Sequence, residues 1–129
     1  DLVLEKFKGV VMVDEAYIHF SNSPSYIKKI NQYPKLIVSQ TFSKAWGLAA
    51  ARVGTAYANV EIISWFNKVK PPYNVSELNQ KAALSALENY PEFERQKAVI
   101  LEQKEWLEKR LIPAVLRATL LPFKPANNI

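Results

Sequence analysis

The stretch SQTFSKAWGLAAARVG, residues 39–54, holds a lysine, Lys44, among small, apolar and hydroxyl-bearing neighbours, with Arg52 eight residues on and no carboxylate between the two. Thirty residues before Lys44, Asp14 follows the apolar run GVVMV, and Tyr17 comes three residues after Asp14. Singly, each has an ordinary reading. Lys44 is a solvated lysine with its stem packed on a loop, Arg52 a surface ion pair, Asp14 a helix cap or turn former, and Tyr17 a core tyrosine with its hydroxyl at the rim.

As a set they describe a chemistry. A lysine held in a mostly apolar pocket has its charged form disfavoured, so a neutral amine becomes available to attack a carbonyl. The planar fork of Arg52 suits a phosphate, and the hydroxyls of Thr41 and Ser43 supply donors for its remaining oxygens. Asp14 offers a carboxylate for a protonated ring nitrogen, and Tyr17 a phenol for a ring oxygen. An aldehyde, a phosphate, a pyridinium and a ring oxygen are the polar features of pyridoxal 5'-phosphate, whose ring is an electron sink only while its nitrogen stays protonated. Composition by itself does not lead to that cofactor.

These residues need elements to place them. GVVMVDEAY (9–17) reads as a strand buried on both faces, as in a parallel sheet, with Asp14 at its C-terminal edge. Turn residues and a short amphipathic segment from 25 to 30, closed by Pro34, connect it to a second run, KLIVSQ (35–40). SKAWGLAAAR (43–52) reads as a loop with a helical turn, and VGTAYA (53–58) as a third strand. Helices are expected over 59–70, ended by Pro71 and Pro72, over 74–89 with Ser76 as N-cap, and from Pro91 to about Leu116. In the last, Phe93, Ile100, Leu107 and Leu111 form one stripe, and Pro113 should bend or end the helix. The expected fold is α/β: about three mainly parallel strands with flanking helices and a long C-terminal helix, its ligands at the C-terminal strand ends.

Bulk properties agree with one globular unit. The 129 residues are 49% hydrophobic and 12% aromatic, enough for a core. There is no cysteine, hence no disulfide framework or thiolate metal site, and no metal site is expected. No apolar run reaches the roughly 18 residues of a membrane span, and no leader pattern opens the chain, so a soluble, cytoplasmic protein without a membrane partner is expected. The net charge of +5 is spread over Lys28/Lys29, Lys68/Lys70 and Lys109/Arg110, not gathered in a stripe or a reading motif, so nucleic acid is not the expected partner.

VVMVDEAYIHFS, TFSKAWGLAAARVG and KVKPPYNVSELNQKAAL closely resemble the histidinol-phosphate aminotransferases, fold-type I pyridoxal-phosphate enzymes of the aspartate aminotransferase superfamily. The likeness runs from about Val10 to Leu87 in three blocks, in that family's order and spacing. It implies that Lys44 forms the Schiff base with the cofactor and shuttles the proton between substrate Cα and cofactor C4', that Asp14 pairs with the pyridinium nitrogen and Tyr17 with the ring oxygen, and that Ser43, Arg52 and Thr41 hold the phosphate. It further implies amino transfer between L-histidinol phosphate and 2-oxoglutarate in histidine biosynthesis, by a homodimer with its sites at the interface, near which the KPPYN loop (70–74) would lie. That loop reads equally as a rigid turn between helices.

Two positions depart from the family pattern: His19 stands where an acid is common, and Trp46 where phenylalanine is. His19 reads as a surface or packing residue. Family members are far longer than this chain, so residues 1–116 are expected to be the central part of the cofactor-binding large domain and 117–129 the start of the connection to a small domain. A piece of that kind is expected to have little or no activity alone and to self-associate through uncovered sheet edges. Other pyridoxal-phosphate enzymes, such as a threonine-phosphate decarboxylase or an aromatic aminotransferase, share the Asp, Lys and Arg arrangement. A non-catalytic basic binding domain is the alternative of a different class.

Overall fold

The computed structural model describes residues 2–120, with side chains as far as Leu111. Helix α1 (Leu2–Lys6) leads into strand β1 (Val11–Asp14). Two single 3-10 turns, Ile18–Phe20 and Tyr26–Lys29, connect it to β2 (Leu36–Thr41), and a third, Ala49–Ala51, precedes β3 (Gly54–Ala58). Helices α2 (Val60–Val69), α3 (Glu77–Glu88) and α4 (Tyr90–Leu120) follow.

The sheet has the order β1-β2-β3, with β1 parallel and β3 antiparallel to β2. It is therefore mixed and not mainly parallel, which corrects the sequence expectation. A parallel return needs a crossover of a dozen or more residues, usually a helix. The link from Thr41 to Gly54, twelve residues with a single 3-10 turn, sits at that lower limit, and here β3 folds straight back, pairing Thr41 with Gly54 and Ile37 with Ala58.

Burial on both faces also falls on one strand only. In central β2, consecutive Leu36, Ile37 and Val38 are all buried, whereas edge strand β1 alternates and leaves Met12 62% exposed. The other buried apolar side chains among the described residues are Phe42 and Ala45 in the loop after β2, with Ile62, Ala83 and Phe93, one each from α2, α3 and α4.

The helices start where side chains can satisfy free backbone N–H groups. Asn59 caps α2 through Glu61 N–H at 3.0 Å, and Ser76 caps α3 through Asn79 N–H at 3.2 Å. We expect Ser76→Ala to lower stability by about 1 kcal/mol, read as a smaller urea midpoint at unchanged slope. An unchanged midpoint would mean that α3 is held by packing alone.

Helix α4 is longer than the prolines suggest: Pro91 sits in its first turn as expected, but the helix continues through Pro113 to Leu120. Its expected apolar stripe is covered only at Phe93, with Ile100, Leu107 and Leu111 about half exposed. No helix among the described residues is long and apolar enough to cross a membrane.

Candidate active site

The parallel register of β1 and β2 sets Asp14 opposite Ser39. Asp14 Oδ1 accepts from the Ser39 hydroxyl at 3.3 Å and from the Ala16 N–H at 3.0 Å, the second bond being a side-chain turn that bends the chain as it leaves the sheet. Both bonds go to one oxygen from neutral donors, so Oδ2 has no partner among the described residues. The bend carries the chain to Tyr17, 61% exposed, and into the first 3-10 turn. Beside Asp14 and Tyr17 opens a cleft of about 290 Å³, to which Ser21, Ser23 and Tyr26 contribute.

Lys44 reaches the same edge from β2. After Thr41 the chain makes a compact loop, held by Leu48 N–H to Phe42 O at 2.9 Å, Gly47 N–H to Lys44 O at 2.9 Å, and Phe42 N–H to Val53 O at 3.1 Å. Gly47 has φ of +70°, a conformation that a side chain disfavours, so a glycine closes the turn directly after Trp46. The loop leaves Lys44 exposed with its Nζ 5.4 Å from the centre of the Tyr17 ring, a cation-π contact between two loops that follow different strands.

The other expected residues are placed unequally. Ser43 lies half-buried beside Lys44, its N–H donating to Thr41 Oγ1 at 3.1 Å. The Thr41 hydroxyl also donates to Val53 O at 3.4 Å, so Thr41 is engaged in shaping the loop. Arg52 is exposed and left-handed, with φ of +52°, and its guanidinium donates to Ala49 O at 3.2 Å. Holding a non-glycine residue there costs roughly 1 kcal/mol or more, and it turns the chain sharply between the 3-10 turn and β3.

Behind the lysine loop lies an aromatic floor. Trp46 stacks on Phe93 of α4 at 3.9 Å and 19°, and Phe42 and Tyr90 pack around the pair. His19 meets Trp46 and Phe93 edge-on, at 5.8 and 5.4 Å. Burial lowers its pKa, and the Lys97 charge adds to that, against the opposing pull of Glu15 and Glu94. It is a packing residue, as its sequence context suggests. The sequence reading missed Glu15, the one polar residue among the buried side chains of the described residues. Its signal was alternation: if Asp14 leaves the sheet outward, the next side chain turns inward.

Residues 1–121 match the family model of aminotransferase class I and II. This chain belongs to the class I and II aminotransferases. Among its relatives in that family, the histidinol-phosphate aminotransferase of Cytophaga hutchinsonii is 50% identical over 109 residues, which are 84% of this chain and 31% of that protein. The enzyme of the same name from Bacteroides thetaiotaomicron is 46% identical over 126 residues, 98% of this chain and 36% of that protein. The crystal structure of histidinol-phosphate aminotransferase from Sinorhizobium meliloti, in complex with pyridoxal-5'-phosphate, superposes with a TM-score of 0.72 at 25% identity, covering 78% of this chain and 28% of that one. The chain thus spans about a third of the length of the aminotransferases it matches.

Proposed function

We propose that this chain carries the lysine-bearing part of a pyridoxal-phosphate-dependent histidinol-phosphate aminotransferase, which moves an amino group between L-histidinol phosphate and 2-oxoglutarate in the cytoplasm. The observation that carries the reading is the meeting of the two loops, with the Lys44 amine above the ring of Tyr17, three residues after a strand-end carboxylate whose partners are neutral. Identity of 46–50% to proteins named for that activity supports the substrate pair.

The donor set fits the cofactor. Asp14 has Oδ2 open to a protonated ring nitrogen and is itself held by Ser39 and Ala16. Tyr17 is exposed at the same edge, with its hydroxyl available to a ring oxygen. Ser43 and Arg52 flank the lysine loop and would hold the phosphate, Arg52 by exchanging its bond to Ala49 O for a bidentate one. Thr41 would contribute by holding Ser43 in place. When bound, the cofactor supplies an electron sink for the substrate's Cα electrons. Lys44 supplies the amine that fixes its aldehyde and, once displaced, the base that moves the Cα proton.

Residues 1–116 would belong to the large domain, with 117–129 beginning the connection onward; 121–129 lie outside the described residues. The functional unit would be a homodimer, for which the uncovered Trp65 and the 95% exposed Tyr73 of the KPPYN loop offer apolar surface.

The test is a transaminase assay on the full-length polypeptide that contains these residues. Glutamate formed from L-histidinol phosphate and 2-oxoglutarate is the expected result; turnover only with unphosphorylated aromatic amino acids, or carbon dioxide release, would overturn the substrate assignment. Arg52→Ala should weaken cofactor binding at least about tenfold, since hydrogen bonds to charged groups contribute about 1.5–3 kcal/mol. An affinity within twofold of the parent would remove Arg52 from the phosphate site.

A further inference from the structure

Glu15 is 5% exposed, and its carboxylate is surrounded by donors. Oε2 accepts from the Ser25 hydroxyl at 2.7 Å and from the Gln40 amide at 2.9 Å, while Oε1 accepts from the Tyr26 N–H at 2.6 Å. Ser25 in turn caps the second 3-10 turn through Ile27 N–H at 3.1 Å. The backbone of Glu15 is fixed as well: its N–H donates to Ser39 O at 2.8 Å, and its carbonyl accepts from Ile18 N–H at 3.1 Å. One residue therefore ties together strand β2, the 3-10 turn at Tyr26–Lys29 and the 3-10 turn at Ile18–Phe20.

What this residue joins is the frame of the cofactor edge. Glu15 stands between Asp14 and the Ala16 N–H that holds the Asp14 carboxylate, and two residues before Tyr17. Rotation of the Glu15 peptide would move both neighbours, and each donor to its side chain opposes that rotation. A buried carboxylate that accepts three bonds is costly to leave half-satisfied, so the three segments are held in one arrangement. A hydrophobic side chain would fill the space but would not register the three segments against one another.

We propose that Glu15 is a positioning residue of the site: acting through the turn over residues 14–17, it sets the angle at which Asp14 and Tyr17 meet the cofactor ring. The inference rests on the reading of Asp14 and Tyr17 given above. Tolerances of about 0.5 Å and 10–20° are typical of such constellations, so a turn loosened without unfolding should change the electronic state of the bound ring more than it changes binding.

Glu15→Gln keeps the shape but puts an amide donor against a ring of donors, and Gln40→Leu removes one donor while leaving the carboxylate in place. Both are compared with the parent in the full-length protein, together with Ile62→Val, a core change remote from the edge. Three quantities are read: melting temperature without cofactor, cofactor affinity by titrating pyridoxal phosphate into the apoprotein, and the pH midpoint of the visible band of the bound cofactor. The expected result is a midpoint shift of about half a pH unit or more in Glu15→Gln, a smaller shift of the same sign in Gln40→Leu, and none in Ile62→Val. Cofactor affinity should fall less than about tenfold in each. If Glu15→Gln does not fold, the shift in Gln40→Leu decides. Lower melting temperatures with an unmoved midpoint would reduce Glu15 to a structural role and overturn the proposal. A parent protein without a visible band would instead overturn the reading of the site, and the inference with it.

Discussion

Replacing Lys44 with alanine should abolish the visible band of cofactor-loaded protein and lower turnover by on the order of 10⁴-fold or more, because in the proposed site this one side chain would serve as nucleophile and as proton carrier. Stability should hardly change. Lys44 is exposed and its interaction with the Tyr17 ring is a single surface cation-π contact, worth about 0.5–1 kcal/mol. Lys44→Arg sharpens the test: it keeps the charge above the ring but offers no neutral amine near neutral pH. It should be as inactive as the alanine variant while melting like the parent. The check is an absorbance spectrum of each purified protein with saturating cofactor, next to the transaminase assay. A Lys44→Ala protein that retains the band would place the Schiff-base lysine elsewhere.

The second large effect concerns the floor beneath that lysine. Phe93 is 5% exposed and stacks on Trp46 at 3.9 Å, two residues from Lys44. Phe93→Ala removes a buried ring and leaves a cavity, a change that costs about 3–5 kcal/mol in well-packed cores. That is a large share of the 5–15 kcal/mol typical of a domain. The consequence is also local. Phe93 is the covered point of the α4 stripe, so its loss should free the start of α4 from the lysine loop and the His19 turn. Urea unfolding followed by tryptophan fluorescence reads the first effect, and amide exchange at residues 90–97 reads the second. Phe93→Leu should recover about half of the loss, since it restores volume without the stacked geometry. A loss below about 1 kcal/mol in Phe93→Ala would mean that the stack contributes little.

Much of the placement of the candidate site was legible in the chain itself. Asp14 ends an apolar run and Lys44 follows another, so two strand ends were enough to bring carboxylate and amine to one edge. The helix starts at Asn59 and Ser76 were equally local, because an N-cap bonds to a backbone N–H two or three residues away. What failed were inferences about partners. Apolar content in GVVMV suggested burial on both faces, but burial depends on what lies against a strand, and Met12 faces open space. Pro113 was expected to bend or end the helix, and it does not end it: helix α4 continues through it to Leu120.

By itself, the sequence determined the inventory of chemical groups and their covalent spacing: the amine, the carboxylate, the phenol and the cation, with the loops that follow the strands carrying them. Tertiary structure alone decided three things. It set the direction of β3, because a twelve-residue link can either cross over or turn back and only folding shows which. It placed Trp46 on Phe93, a stack between residues far apart in the chain. And it buried Glu15, whose donors come from Ser25, Tyr26 and Gln40. Spacing along the chain is covalent and can be read directly, whereas a buried carboxylate is defined by neighbours that only the folded packing assembles.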